Sequence, residues 1–266
     1  MIQLTHKRIV VIGGTSGLGL SAARAFLKAG ARVLVTGRTP ATADAALDQL
    51  RPLAGDHGAA VEALLGDAAE PGSADAAVAR AVELWQGLDG LYHVAGGSGR
   101  RFGDGPLHEV TDDGWRRTID LNLSSIAWSN RAALGQFLRQ GGGGVILNMG
   151  SVLGWSPAPQ HFATHAYAAA KAGIIGLTRA IASGYAGHNI RANVIAPALV
   201  ETPMAGRALG DDQILDFVRR KQPLDGGRAG LPEDCDGAAL YLMSDAARFT
   251  TGQVLAVDGG WTVTNP

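Results

Sequence analysis

Residues 8–19 read RIVVIGGTSGLG, a short strand-like run followed at once by a turn with four glycines in seven residues. The segment 16–29 is predicted to be a helix that ends at Gly30. Glycines in such a turn let the backbone approach a phosphate, and a helix N-terminus offers free N–H groups with a partial positive charge. The order of strand, glycine turn and helix therefore predicts a dinucleotide site. A tight turn that only packs small residues is the alternative, since the spacing GxxxGxG departs from the usual GxGxxG.

The alternation of strand-like and helix-like segments continues along the whole chain. Strands are predicted at 8–12, 32–36, 61–65, 90–94, 144–149, 190–195 and 253–257, and helices at 16–29, 42–53, 73–85, 111–139, 165–185 and 232–243. Strands that are apolar throughout are typical of a parallel sheet with helices on both faces. The sequence predicts an α/β fold: a single doubly wound Rossmann-type domain over residues 1–266, with about seven parallel strands and an irregular substrate loop at about 200–231. A (β/α)₈ barrel is less favoured, because it needs an eighth strand.

The composition excludes several classes of protein. Of 266 residues, 46% are hydrophobic and 18% are charged, which argues against disorder. The net charge of −1 shows no excess of basic residues that would indicate binding to nucleic acid or to an anionic membrane. The single cysteine, Cys235, excludes an internal disulfide and a multi-cysteine metal site, and no metal is predicted. Without a signal-peptide pattern or an apolar run of about 20 residues, the expected location is cytoplasmic.

Two polar residues stand where predicted strands end, and ligands bind at that edge of open α/β sheets. Ser151 follows the fifth strand, and a turn or cap residue is its alternative interpretation. Arg38 follows the second strand, where dinucleotide sites usually carry an acidic residue that binds the ribose 2′-hydroxyl. A guanidinium there favours a 2′-phosphate, so NADP(H) is the favoured cofactor and NAD(H) is possible. An ordinary solvated arginine is the alternative.

A further pair lies on one predicted helix face, because Tyr167 and Lys171 are four residues apart. A tyrosine with an ordinary pKa of about 10 is a poor acid–base group at neutral pH, and a neighbouring ammonium is expected to lower that pKa. The spacing alone is common and usually carries no catalysis. Asn122 is a polar residue in an apolar helical stretch, where a satisfied helix residue is the more frequent interpretation.

This set of motifs resembles the short-chain dehydrogenase/reductase family over essentially the whole chain. The matching pieces are the turn 13–19, Asp67, Asn122, Ser151, Tyr167 with Lys171, NVIAP at 193–197, PED at 232–234 and TGQVLAVDGG at 251–260. Each motif alone is weak, whereas the combination is specific. The resemblance implies an NAD(P)-dependent oxidoreductase that transfers a hydride reversibly between a nicotinamide and a secondary alcohol or ketone.

The resemblance also implies a role for each site residue. Tyr167 is the general acid or base, and Lys171 lowers its pKa and holds the nicotinamide ribose. Ser151 hydrogen-bonds the substrate oxygen, and Asn122 fixes a water that returns protons. Besides Tyr167 and Lys171, the implied cofactor contacts are Gly13, Ser16, Gly17, Leu18, Gly19, Arg38, Asp67, Ala95, Gly96, Pro197 and Thr202. Asp67 would contact the adenine and Thr202 the carboxamide; a turn residue and a helix cap are the respective alternatives.

The chain departs from the family pattern in three places. Val94 replaces the asparagine of an Asn-Ala-Gly motif, and Ala198 replaces the glycine of a Pro-Gly motif. The interval from Ser151 to Tyr167 is about three residues longer than usual. Its insert-like part, residues 155–164, is expected to shape a distinctive substrate pocket.

Two other function classes stay open at this point. A non-catalytic dinucleotide-binding scaffold or redox sensor uses the same fold. A phosphate-handling nucleotide enzyme is less favoured, because no Lys-Ser/Thr pair follows the glycine turn. The expected partners are a small-molecule substrate and further copies of this chain, as a tetramer or dimer built through the helices at 111–139 and 165–185.

Overall fold

The computed structural model describes residues 2–55 and 59–265. Its strands are β1 (Arg8–Ile12), β2 (Arg32–Gly37), β3 (Ala60–Leu65), β4 (Gly90–His93), β5 (Gly144–Met149), β6 (Ile190–Pro197) and β7 (Val254–Val257). Its helices are α1 (Gly17–Lys28), α2 (Pro40–Leu50), α3 (Pro71–Trp85), α4 (Asp112–Ile119), α5 (Ser125–Gln140), α6 (Pro159–Phe162), α7 (His165–Tyr185), α8 (Gly206–Leu209), α9 (Asp212–Lys221) and α10 (Asp236–Met243).

The strands form one parallel sheet with the order β3-β2-β1-β4-β5-β6-β7. The chain leaves β1 in one direction and returns at β4 to continue in the other, so the strand order reverses between β1 and β4. This topology confirms the predicted doubly wound α/β fold. It excludes the barrel, because β3 and β7 are the edges of an open sheet.

Neighbouring residues of β1 face opposite cores, which explains why the strand is apolar at consecutive positions. Ile9 and Val11 pack in a core that is covered mainly by α1 and α10. Val10 and Ile12 pack in a second core that is covered by α3 and α5. Because side chains alternate between the faces of a strand, a sheet with helices on both faces requires this continuous apolar run.

Two predicted segments differ from the structure. The helix predicted at 111–139 contains a π-turn, Asp120–Ser124, which separates α4 from α5. The irregular loop predicted at about 200–231 is wrong, because that segment holds α8 and α9. Buried Ile214, Phe217 and Val218 give α9 an apolar face with helical spacing, flanked by charged residues that hide the pattern.

The described residues contain neither a membrane-spanning helix nor a cluster of metal-ligating side chains. Over residues 2–55 and 59–265, no helix is long and apolar enough to cross a membrane. The same part of the chain contains no group of three or more His, Cys, Asp or Glu side chains arranged to hold a metal ion. The cytoplasmic location stays a prediction.

A half-buried carboxyl joins α1 to α10. The Ser21 hydroxyl donates a hydrogen bond of 2.8 Å to Asp236 Oδ2. The other oxygen, Oδ1, is buried and has no partner among the described residues. Burial raises the pKa of Asp236 from 3.8 to about 6, and the Ser21 hydroxyl only partly opposes this shift. The contact therefore carries an electrostatic cost at neutral pH.

We expect this carboxyl to make the folded protein less stable as the pH rises from about 4 to about 6. The raised pKa means that the folded state binds the proton more tightly than the unfolded chain, so stability falls over the pH range in which the unfolded chain has lost the proton and the folded state still holds it. Asp236→Asn should remove this slope and raise Tm at pH 7, because the amide keeps an acceptor for Ser21 without a charge. Asp48→Asn, an exposed change on α2, is the control. A pH series of thermal melts in which Asp236→Asn keeps the wild-type slope would contradict the assignment.

Candidate active site

The carboxyl ends of the parallel strands lie at one edge of the sheet, and the predicted site residues follow those ends. In order of the strands β1 to β6 they include Gly13, Arg38, Asp67, Ala95, Ser151 and Thr202. The topology thus collects residues from six strands at the edge where open α/β sheets bind ligands.

The glycine turn packs backbone against backbone. Gly13 has a φ of +81°, and a Cβ on it would lie 2.7 Å from the Ala95 nitrogen. Gly17 has a φ of +51°, and a Cβ there would lie 3.3 Å from Thr202 Cγ2. A Cβ on Gly19 would overlap the Gly13 carbonyl oxygen. Only glycine allows the loops after β1, β4 and β6 to meet this closely.

The first turn of α1 is open to an anion. Its N-cap, Ser16, is exposed and makes no side-chain capping bond, and no acidic residue stands in the first turn. The N–H groups at Gly17, Leu18 and Gly19 have no intrahelical partners and carry the partial positive charge of the helix end. These features fit the pyrophosphate of a dinucleotide.

The residues after β2, β3 and β6 have separate environments. The Arg38 side chain is exposed at the end of β2. Asp67 is half-buried, and its Oδ1 accepts a hydrogen bond of 3.0 Å from the Ala69 N–H, so one oxygen serves a turn. Pro197 ends β6, and Thr202 makes no helix-capping side-chain bond. Thr202 does stand at the N-cap position of the 3₁₀ turn Pro203–Ala205, so the cap interpretation stays open.

Lys171 is almost completely buried, with 3% of its surface exposed. Its Nζ donates a hydrogen bond of 2.8 Å to the Met149 carbonyl oxygen at the end of β5. The same atom lies 5.4 Å from the centre of the Tyr167 ring. Burial lowers the pKa of Lys171 to about 7, because the charged form loses its hydration. The helix α7 thus holds both groups of the predicted pair at the β5 end.

Burial and a neighbouring hydroxyl act in opposite directions on the pKa of Tyr167. Burial raises the pKa of Tyr167 above its ordinary value, and the neighbour that opposes this rise is the Ser151 hydroxyl. The expectation that the Lys171 ammonium lowers this pKa stays a prediction; its Nζ lies 5.4 Å from the centre of the Tyr167 ring. Ser151 is 6% exposed, and its Oγ also accepts a hydrogen bond of 3.2 Å from Leu153 N–H. The Ser151 hydroxyl is therefore near enough to the phenol of Tyr167 to oppose the effect of burial on its pKa.

Asn122 lies in the π-turn and ties down the loop after β4. Its Oδ1 accepts a hydrogen bond of 3.0 Å from Gly97 N–H, and its Nδ2 donates to the Gly97 and Thr118 carbonyl oxygens, each at 2.9 Å. A Cβ on Gly96 would lie 2.9 Å from Asn122 Oδ1 and 3.6 Å from Lys171 Nζ. Because the amide is committed to backbone groups, only the main chain of Asn122 is left to hold a water.

Sequence reasoning missed Asp104. This carboxylate is 4% exposed and accepts hydrogen bonds from the Ala166 and Tyr167 N–H groups, at 3.0 and 2.9 Å. It therefore caps the first turn of α7 and fixes the backbone of Tyr167. The sequence offers one signal, an acidic residue within the glycine-rich segment 96–105, but nothing links it to a helix about 60 residues further on.

His93 was also missed. It lies at the end of β4, beside the position where Val94 replaces asparagine, and is completely buried. Its Nδ1 and the Ser129 Oγ are 2.7 Å apart, and its Nε2 lies 3.4 Å from the Ser125 Oγ. Burial lowers the pKa of His93 to about 3, so the ring is neutral at physiological pH. It packs α5 against the sheet behind Lys171.

The insert-like segment 155–164 forms α6 and packs against α9 and the chain end. The rings of Phe162 and Trp261 have centroids 5.8 Å apart, and those of Phe217 and Trp261 are 5.5 Å apart. His161 and Phe217 are 5.1 Å apart. These rings form an aromatic wall that joins the segment between Ser151 and Tyr167 to α9 and to Trp261.

The fold and the site define a nicotinamide-dependent oxidoreductase of the dehydrogenase/reductase class. A family model described as Enoyl-(Acyl carrier protein) reductase matches residues 13–262. Galactitol 2-dehydrogenase (L-tagatose-forming) of Cereibacter sphaeroides is 35% identical over 99% of this chain and 98% of its own. Cis-4-hydroxycyclohexanecarboxylate dehydrogenase of Sinomonas cyclohexanicum is 35% identical over 95% of each chain. The chain belongs to the short-chain dehydrogenase/reductase family.

A solved structure agrees with this assignment. A short-chain type dehydrogenase/reductase from Mycobacterium ulcerans superposes with a TM-score of 0.90 at 30% identity, covering 99% of this chain and 92% of that one. The relatives are named as dehydrogenases, which supports an alcohol dehydrogenase or ketoreductase and not a non-catalytic scaffold. The family resemblance found in the sequence is confirmed.

The close approach at Gly96 gives a test of the site geometry. Gly96→Ala should lower the free energy of unfolding by about 1–3 kcal/mol, because the new methyl group forces the Asn122 amide away from the Gly97 backbone. Gly105→Ala is the matched control in the same loop, since a Cβ there meets nothing within 4 Å. Equal urea midpoints for the two variants would show that the Asn122 contact is looser than the structure indicates.

Proposed function

We propose that the protein transfers a hydride reversibly between NADP(H) and a secondary alcohol or ketone, with Tyr167 as the general acid and base. The observation that carries this proposal is the convergence of Ser151, Tyr167 and Lys171 beside the open N-terminus of α1. The named relatives support the reaction type, since one acts on galactitol at position 2 and another on a hydroxycyclohexane ring.

The proton chemistry follows from the environment of Tyr167. When bound, the nicotinamide supplies or accepts the hydride. In ketone reduction the phenol donates its proton to the substrate oxygen, and the raised pKa keeps it protonated at neutral pH. In alcohol oxidation the phenolate takes the proton from the hydroxyl. The Ser151 hydroxyl donates to the same oxygen and stabilises the charge that develops there.

We assign the remaining candidate residues to binding. The Met149 carbonyl oxygen fixes Lys171 with its ammonium toward Gly96. In this position the ammonium would bind the ribose hydroxyls. The main chain of Asn122 would fix the water that returns protons. The pyrophosphate contacts are Gly13, Ser16, Gly17, Leu18 and Gly19. Asp67 would meet the adenine, and Ala95, Gly96, Pro197 and Thr202 would line the path to the nicotinamide. The whole chain serves as one dinucleotide-binding domain, with 200–231 covering the substrate.

Removing the phenol hydroxyl tests the reaction. Tyr167→Phe should lower kcat by about 10²-fold or more, since general acid–base catalysis contributes that much, and should leave cofactor affinity nearly intact. Turnover is followed at the absorbance of the reduced nicotinamide, and cofactor binding by fluorescence titration. Tyr185→Phe, at the other end of α7, is the matched control. Activity within about tenfold of wild type would remove Tyr167 from the mechanism.

Arg38 decides the proposed preference for the phosphorylated cofactor. A hydrogen bond to a charged group contributes about 1.5–3 kcal/mol, which corresponds to a 10–100-fold preference for NADP(H). Thr15 and Ser16 add no second cation, so we expect the low end. An acidic residue at position 37 would repel a 2′-phosphate. Gly37→Asp is nevertheless unsuitable as a test, because a Cβ at position 37 would lie 2.5 Å from Thr15 Cγ2.

Arg38→Gln should therefore lower kcat/KM with NADP(H) about tenfold and leave NAD(H) unchanged. Arg51→Gln, another exposed arginine, controls for net charge. Both variants are assayed with both cofactors at one ionic strength. Equal use of the two cofactors by the wild type would show that Arg38 points to solvent.

We also propose that copies of the chain associate through the groove between α5 and α7. Asn130 lies there with both amide atoms buried and without partners among the described residues, and Leu138 is 45% exposed. A neighbouring copy would cover the leucine. A monomeric mass in light scattering at micromolar concentration would contradict the predicted dimer or tetramer.

A further inference from the structure

Two arginines from distant parts of the chain meet at the insert-like segment. Arg100 lies in the 3₁₀ turn after the loop that follows β4, and Arg207 lies in α8. The Nη2 atom of Arg100 donates a hydrogen bond of 3.2 Å to the His161 carbonyl oxygen. The Nη2 atom of Arg207 donates one of 3.1 Å to the same oxygen. A single carbonyl therefore stands between two guanidinium groups.

Within the part of the chain that the structure describes, this pair of cations has no carboxylate at ion-pair distance. Among residues 2–55 and 59–265, neither arginine forms an ion pair, whereas arginines such as Arg8 and Arg228 do. Burial and the nearness of Arg207 lower the pKa of Arg100, and Asp104 partly offsets this. Both oxygens of Asp104 already bind the N-terminus of α7. Two adjacent cations with one shared acceptor are costly to hold together, and an oxyanion would offset that cost.

Short stretches of chain connect the pair to the residues that hold the reacting groups. His161 precedes Tyr167 by six residues, and Arg100 precedes Asp104, the residue that binds the Tyr167 N–H, by four. An apolar surface adjoins the cations, since the Arg207 Cζ is 5.9 Å from the centre of the Phe162 ring. A substrate with an apolar body and an anionic end fits this arrangement.

We propose that the substrate carries an oxyanion, a carboxylate or a phosphate, which Arg100 and Arg207 bind together beside the aromatic wall. This inference rests on the proposed function, because it describes the substrate of that same site. Each guanidinium has five N–H donors in a planar fork, and the His161 carbonyl occupies one of them. The remaining donors suit the two oxygens of a carboxylate or the three of a phosphate ester.

The test compares ketones that differ only in charge. The probes are 4-oxopentanoate and 5-oxohexanoate, each against its methyl ester, and dihydroxyacetone phosphate against dihydroxyacetone. The wild type should show a kcat/KM at least about tenfold higher for the anion of one pair, the range for a charge-assisted hydrogen bond. Comparison of the carboxylate pairs with the phosphate pair shows which of the two oxyanions the site prefers. Because the pair is partly exposed, the preference should fall as salt is added.

Substitutions then test whether Arg100 and Arg207 are the residues that bind the anion. Arg100→Gln and Arg207→Gln should each lower kcat/KM for the preferred anion about 10- to 100-fold and leave the neutral partner within about twofold. Arg101→Gln is the matched control: it removes the same charge next to Arg100, but its guanidinium stacks on the Phe102 ring at 4.5 Å. Equal turnover of anion and neutral partner by the wild type would overturn the proposal, as would equal losses in Arg100→Gln and Arg101→Gln.

A binding measurement separates this inference from the proposed reaction. If no probe is turned over, the proposed function loses its support, whereas calorimetric titration with 4-oxopentanoate and dihydroxyacetone phosphate still reports on the anion site. Binding of one probe to the wild type that is lost in Arg100→Gln and kept in Arg101→Gln would support the site. Failure of the wild type to bind either probe would overturn it.

Discussion

The buried Asp104 carboxylate at the N-terminus of α7 is the interaction on which the rest of the site depends. By accepting from the N–H groups of Ala166 and Tyr167, it joins the loop after β4 to the helix that carries the phenol and the ammonium. Asn122 holds the start of the same loop through Gly97. The position of the acid–base group relative to the sheet edge is therefore set by hydrogen bonds to backbone, which leave little freedom.

Desolvation gives the site its chemical character. Burial raises the pKa of Tyr167 and lowers the pKa of Lys171 to about 7, so the charged form of each side chain is less favoured than it is in water. The Ser151 hydroxyl is the neighbour that stabilises the phenolate. In our account this serine has two effects, since it orients the substrate oxygen and also moves the Tyr167 pKa toward the working range.

The sheet was predictable because its apolar strands and glycine turn are local features of the sequence. The topology then brought Ser151, Tyr167 and Lys171 together as the family resemblance implied. The link from Asp104 to Tyr167 was not predictable, because it joins residues 63 positions apart without a shared pattern. The contacts of Arg100 and Arg207 with the His161 carbonyl span 61 and 46 positions and depend on the path of the insert.

The pH dependence of alcohol oxidation in the wild type and in Ser151→Ala tests the central claim most directly. The phenol must lose its proton before it can accept one from the alcohol, so kcat/KM should rise with pH up to the pKa of Tyr167. Removing the hydroxyl that stabilises the phenolate should move this rise to higher pH, in addition to lowering the rate. A rise that stays at the same pH in Ser151→Ala, or a rate that does not depend on pH, would contradict the account.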